Sequence, residues 1–244
     1  MNHHPNVDTD LRFTSYVINN LLFLTPDRHL LYVTDAVILE HSLQPSHTFE
    51  HLACFFPGLL ALGVDLLPLD RLDTLGIDVA VLVDDLFPAD RQAYADLFQF
   101  NLADLHLWAA EGIAQTCYLM YADQPSGLGP ESAKMNVDPH GGEKRWMDEM
   151  RAWKKDNGDS WGWWRGLGSK YIPPGVRDVE PWTDSSHNNQ TVEPSMMRPT
   201  QGQHEGLNTT KDYLVDNPAY YLRPEVRNMF LWCAYARTFG CVDG

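Results

Sequence analysis

Residues 48–62 read TFEHLACFFPGLLAL, and this stretch decides the fold. It is apolar on nearly all sides of a helical wheel, which is the composition of a helix buried among others. Pro57-Gly58 must kink or split it, because proline removes a backbone donor and crowds the preceding turn. A long partner lies downstream. Residues 90–123 form the longest helical stretch, and Leu105, Trp108, Ala109, Ile113 and Cys117 recur within it at spacings of three and four as one apolar stripe. Upstream, residues 14–22 (TSYVINNLL) suggest a helix ended by Thr25-Pro26-Asp27. Residues 30–33 (LLYV) are short, apolar and partly β-branched, so they form a strand or an extended link. The expected architecture is all-α with a few short strands or hairpins.

Residues 132–213 have a different texture. They hold six of the eight tryptophans and are rich in Gly, Pro, Asn and Ser. Within them only residues 143–155 (EKRWMDEMRAWKK) read as helix, with Trp146, Met150 and Trp153 on a face that packs on the main body. The loop SWGWW at 160–164 is of a kind that could stack on sugar rings. Residues 214–244 return to helix, opened by Arg223-Pro224-Glu225 and closed by Gly240, the usual asymmetry of proline inside the start and glycine past the end. The domain expectation is one partial catalytic domain over 1–244, with 132–213 as a Trp/Gly/Pro-rich insertion.

The chain has 244 residues, with 18 Lys and Arg against 33 Asp and Glu, for a formal charge of −15. That surplus of acid argues against nucleic acid as the main partner. A hydrophobic content of 44% excludes a disordered chain. The longest apolar stretch, residues 59–69, carries an Asp and a Pro and falls short of the roughly 20 residues that span a bilayer. The N-terminus, MNHHPNVDTDLRF, does not read as a signal peptide, so the chain is expected to be cytosolic or to continue a precursor that starts upstream. Cys54, Cys117, Cys233 and Cys241 form no CxxC, which disfavours a thiolate zinc site. Two N-x-S/T sequons begin at Asn189 and Asn208.

Three constellations could carry chemistry. His47-Thr-Phe-Glu50-His51 matches H-x-x-E-H, which on a helix puts both histidines on one face to hold zinc, with Glu50 as general base. A lone histidine in such an apolar neighbourhood more often satisfies a local hydrogen bond. Pro130-Glu131 and Arg223-Pro224-Glu225 each read first as a helix start, since proline fits the first position and a carboxylate suits the macrodipole. The functional reading uses the same physics: a carboxylate kept charged in a first turn suits a general base, and paired carboxylates across a sugar are what glycoside hydrolysis needs.

Several segments together resemble the class I α-1,2-mannosidases, glycoside hydrolase family 47. They are LTPDRHLLYVTD (24–35), HLACFFPGLLALG (51–63), TCYLMY (116–121), GLGPE (127–131) and YLRPE (221–225). The resemblance implies a partial (α/α)7 barrel of paired helices. It implies an inverting, calcium-dependent hydrolase that removes terminal α-1,2-linked mannose from high-mannose N-glycans in the endoplasmic reticulum or Golgi lumen, or after secretion, and a monomer. By resemblance Glu225 is the catalytic base, Glu131 a catalytic acid of the pocket, and His51 and Arg223 contact the sugar. Cys54 and Cys117 fall where the family forms its disulfide, leaving Cys233 and Cys241 free. Within the chain no metal ligand is assigned, because the threonine that holds calcium would lie beyond Gly244 and further catalytic acids before Met1. The expectation is therefore a chain that alone has little or no mannosidase activity. Asn228 stands where the family usually places a second Glu, three residues after Glu225. Two other readings follow: a glycan-binding or vestigial protein on the same scaffold, and a zinc peptidase built on His47, Glu50 and His51.

Overall fold

The computed structural model describes residues 5–39, 42–84, 91–123, 129–157, 172–176 and 212–218. Their order is α1 (Pro5–Asn20), β1 (Leu22–Leu24), β2 (Leu31–Val33), β3 (Ala36–Leu39), β4 (Ser42–Pro45) and β5 (Thr48–Glu50). A 3-10 turn (His51–Phe55) leads into α2 (Phe56–Leu66), and a second (Leu72–Leu75) precedes α3 (Val79–Asp84). There follow α4 (Arg91–Leu97), α5 (Leu102–Ala122), β6 (Pro130–Met135), β7 (Lys144–Arg145), α6 (Trp146–Asn157) and β8 (Tyr213–Pro218). The described residues are mostly helical, as expected, but their strands form three small antiparallel sheets, ordered β2-β1-β7, β3-β4 and β5-β6-β8.

Helix α5 is the axis of the core. Asn101 caps it by accepting a hydrogen bond from the Asp104 backbone N–H at 3.1 Å, the usual service of an Asn side chain to an orphan donor. The stripe expected from spacing is buried in full: Leu105, Trp108, Ala109, Ile113 and Cys117. The expected single helix over 90–123 is instead two, α4 and α5, parted by the turn that ends at the Asn101 cap. Gly112 lets α5 approach β2, since a Cβ there would lie 2.6 Å from the Gly175 carbonyl oxygen and 2.7 Å from Leu31. Thr116 Oγ1 donates to the Leu31 carbonyl at 2.6 Å and locks that approach. Helix α6 covers the same core. Its Trp146, Met150 and Trp153 are buried, and Trp153 meets Trp108 edge to face, with ring centroids 5.7 Å apart.

Two local expectations need correction. The helix placed over 14–22 ends at Asn20, and Leu22 already belongs to β1. Leu22–Leu24 gains more as a strand, because it pairs with Leu31–Val33 and lies wholly buried between β2 and β7. The stretch 48–62 is not one buried helix. It begins as strand β5, turns through 3-10 geometry at His51–Phe55, and becomes α-helical only from Phe56, with Pro57 in the first turn of α2. Proline thus opens the helix, where its missing donor is harmless. One face of α2 buries Pro57, Leu60 and Ala61, while Leu59 and Leu66 stay 63% and 69% exposed.

Candidate active site

The site is assembled where the sheet β5-β6-β8 meets α5. β6 is its middle strand, and β5 runs antiparallel to it with Thr48 opposite Lys134, Phe49 opposite Ala133 and Glu50 opposite Ser132. The ladder ends there: the next residue on one chain is His51, which opens the 3-10 turn, and on the other Glu131, so two of the four residues singled out in the sequence adjoin the end of this pairing. β8 pairs with the other edge of β6, and its last residue, Pro218, lies opposite Pro130.

A covalent tie holds the helical side. Cys54 and Cys117 form a disulfide with a Cα–Cα distance of 5.9 Å. Cys54 is three residues after His51, and Cys117 is four before Tyr121 on the same face of α5. The bridge consequently sets His51 beside Tyr121: the Tyr121 hydroxyl is 3.4 Å from each imidazole nitrogen, and the ring centroids are 5.9 Å apart. Gly129 completes the contact, because a Cβ there would stand 2.8–2.9 Å from the Tyr121 ring. Tyr121 escaped the reading of individual residues. Its signal was the i, i+4 spacing from Cys117 within TCYLMY.

Behind the site lies an ionic cluster. The Arg28 guanidinium donates to both oxygens of Asp123, at 3.2 and 2.7 Å, and also to Asp212. Asp212 further accepts from Thr25 Oγ1 at 2.6 Å and from the Arg28 backbone N–H at 2.9 Å, and it is fully buried. Tyr213 donates to Asp123 at 2.8 Å. Burial works against the Arg28 charge, but the bonds and charges of Asp123 and Asp212 outweigh it, so its pKa is raised. Asp123 ends α5 two residues after Tyr121, and Asp212 precedes β8. Arg28 thus fastens the two elements that flank His51 and Glu131.

Two sequence expectations fail here. Pro130-Glu131 does not open a helix. Pro130 starts strand β6, a position where proline costs no ladder hydrogen bond, and Glu131 is exposed beside it. The H-x-x-E-H pattern is not helical either, so its histidines share no helix face. His47, in a left-handed backbone conformation, turns its ring to Tyr32 (Nδ1 to hydroxyl, 2.8 Å) and Glu143 (Nε2 to Oε1, 3.0 Å). A carboxylate only accepts, so Nε2 carries the hydrogen and Nδ1 receives the Tyr32 proton. His51 faces Tyr121 instead, and the zinc peptidase reading loses its geometry. Among the described residues no group of three His, Cys, Asp or Glu side chains is placed to hold a metal ion, calcium included. Arg223, Glu225, Asn228, Cys233 and Cys241 lie outside the described residues, as does the SWGWW loop.

A cavity of about 640 Å³ elsewhere is lined by Phe98, Phe100 and Leu102 with Asp70, Asp73 and Asp78, and it includes none of these site residues. No helix among the described residues is long and apolar enough to cross a membrane.

The family model described as glycosyl hydrolase family 47 matches residues 12–235. The chain belongs to that family, the class I α-1,2-mannosidase family. No curated protein matches its sequence.

Proposed function

We propose that this protein is a mannosyl-oligosaccharide α-1,2-mannosidase by descent, acting on terminal α-1,2-linked mannose of high-mannose N-glycans in the secretory pathway. Its helices on this reading are part of an (α/α)7 barrel. The observation that carries the proposal is the family match over residues 12–235, supported by the register of β5 against β6, which ends with Glu50 opposite Ser132, one residue short of His51 and Glu131, and by the exit of β8 at Pro218, five residues before Arg223. A chain advances at most about 3.6 Å per residue, so Arg223 is within roughly 18 Å of Pro218.

In inverting hydrolysis one carboxylate takes a proton from water while a carboxylic acid on the other side of the bond protonates the leaving oxygen. Glu225 fills the first role and Glu131 the acidic side of the pocket. Arg223 and His51 hold hydroxyl groups of the terminal mannose, with Tyr121 fixing the His51 ring. Calcium is the cofactor that the family resemblance implies for this reading. The substrate is a glycan or glycoprotein, and the acidic net charge argues against nucleic acid as the main partner.

A second reading has a specific observation in its favour. Asn228 replaces a family carboxylate one helical turn after Glu225, which favours glycan binding without turnover. One experiment separates the two: mannose release from a high-mannose glycan by the purified chain with calcium added. Turnover that Glu225→Gln lowers by about 10²–10⁴-fold, the usual worth of a positioned base, supports the enzyme. Glycan binding without release supports the second reading.

A further inference from the structure

The cavity of about 640 Å³ lies between residues 69–78 and residues 98–102, and neither His51 nor Glu131 lines it. Its floor and its rim differ in chemistry. Leu69, Leu72, Phe100 and Leu102 are buried at the floor, with Ile77 and Phe98 half-buried beside them. Asp70, Asp73 and Asp78 line the same cavity and are exposed, so they form its rim.

The sequence builds this division locally. Residues 69–78 read LDRLDTLGID. The Arg71 N–H bonds to the Pro68 carbonyl and the Thr74 N–H to the Arg71 carbonyl, at 2.9 and 3.0 Å. Turns of that kind repeat every three residues, which buries Leu69 and Leu72 and leaves Asp70 and Asp73 in solvent. Gly76, at φ 70°, then reverses the chain in the left-handed region open to glycine. The Ile77 N–H returns to the Leu72 carbonyl at 3.2 Å, and Asp78 follows at the rim, where its Oδ1 accepts from the Ala80 N–H at 2.8 Å. On the other wall, the Asn101 cap fixes the start of α5 and with it Phe100 and Leu102.

The lining selects by charge and by shape. Three carboxylates favour a cation. Among the described residues no three such groups are placed to hold a metal ion, so the rim suits a larger, spread-out cation. The nearest rival is Arg71, 3.6 Å from Asp70 with both side chains more than half exposed, a pairing of little worth in water. The floor suits the rest of such a ligand, because aromatic rings attract cations as well as hydrocarbon. Phe100 already does so within the chain: the Lys154 ammonium lies 4.7 Å from its ring centroid. The volume falls within the roughly 300–1,000 Å³ of small-molecule sites.

We propose that this cavity binds an organic cation with an apolar body, its protonated amine or quaternary ammonium group held at the Asp70, Asp73 and Asp78 rim and its hydrocarbon part filling the floor. The proposal is independent of the mannosidase reading.

The test titrates the purified full chain with three probes that share one body: 4-phenylbutylamine, 4-phenylbutanol and 4-phenylbutyrate, followed by ligand-observed NMR. The amine should bind about tenfold more tightly than the alcohol, and the butyrate most weakly. Raising the salt from about 0.1 M to 1 M should weaken the amine alone. Combining Asp70→Asn, Asp73→Asn and Asp78→Asn keeps side-chain shape and the acceptor at position 78. It should weaken the amine roughly tenfold, as three exposed charge contacts together give, and leave the alcohol within twofold. A control that combines Asp27→Asn, Asp148→Asn and Asp156→Asn removes the same charge from exposed positions outside the cavity and should leave the amine unchanged. Thermal unfolding reports that each variant is folded. Should the triple variant fail to fold, Asp73→Asn is read against Asp148→Asn. Equal binding of amine and alcohol would overturn the proposal, as would an equal loss in the control, which would mean attraction by the net charge alone. Binding of α-1,2-mannobiose that the rim variant abolishes, without preference for the amine, would assign the cavity to a neutral sugar and overturn it too.

Discussion

The hydroxyl of Tyr121 sits 3.4 Å from both ring nitrogens of His51. That equidistance follows from the bridge between Cys54 and Cys117, which pins the two chains a short step from both residues. The His51 ring is thereby held edge-on to the buried ring of Tyr121.

Tyr121→Phe isolates that contact. The ring is nearly isosteric and stays packed against Gly129, so thermal stability should change little. Loss of one neutral hydrogen bond is worth about 0.5–1.5 kcal/mol, so affinity for a mannose-terminated oligosaccharide should fall roughly two- to tenfold. Titration calorimetry on both proteins measures this. Unchanged affinity would restrict Tyr121 to packing.

Removing the disulfide should be costly. Its partners are 63 residues apart in sequence, and the chain-entropy model assigns a closed loop of that length about 4 kcal/mol. Cys54→Ser with Cys117→Ser should lower the free energy of unfolding by a few kcal/mol, read from the denaturant midpoint at constant slope. A loss below about 1 kcal/mol would mean that the unfolded chain already holds these segments together.

Arg28→Met should destabilise strongly, because it leaves Asp123 and Asp212 facing one another without their shared cation. Breaking a buried pair in this way costs about 3–5 kcal/mol. Arg28→Lys should recover only part of the loss, since an ammonium cannot fork onto two carboxylates at once. Equal stability of the Lys variant and the parent protein, in urea titrations, would show that charge alone suffices.

Stability should also fall in mild acid through His106. Burial, the largest influence, lowers its pKa and outweighs the backbone bond to Leu102 and the charge of Asp10, which push the other way. The folded state therefore keeps the ring neutral, donating from Nδ1 to the Leu102 carbonyl at 2.6 Å. The unfolded chain takes up a proton near the ordinary value of about 6.5. Below that pH the unfolded state binds more protons, so stability drops as pH falls, by up to about 1.4 kcal/mol per pH unit for one proton. Unfolding curves between pH 7 and pH 5 measure the slope, and His106→Gln should reduce it. An unchanged slope in the variant would remove His106 as the cause.

Much of this protein was legible in its sequence, for reasons of period and composition. The stripe from Leu105 to Cys117 and the Trp146, Met150, Trp153 face had to be buried, because a helix repeats its faces every three to four residues and apolar surface leaves water. The family was carried by the order and spelling of short blocks, and the disulfide by the place of Cys54 and Cys117 within them. Tertiary structure decided the rest. Whether Leu22–Leu24 is the end of a helix or a strand depends on Leu31–Val33 standing ready to pair with it. Whether Pro130-Glu131 opens a helix depends on β5 and β8 lying on either side. His47 and His51, four apart in sequence, were parted because a strand and a 3-10 turn replaced the helix that would have aligned them. These outcomes turn on hydrogen bonds and contacts between segments distant along the chain, and local preference cannot contain the energy of a partner that only the fold supplies.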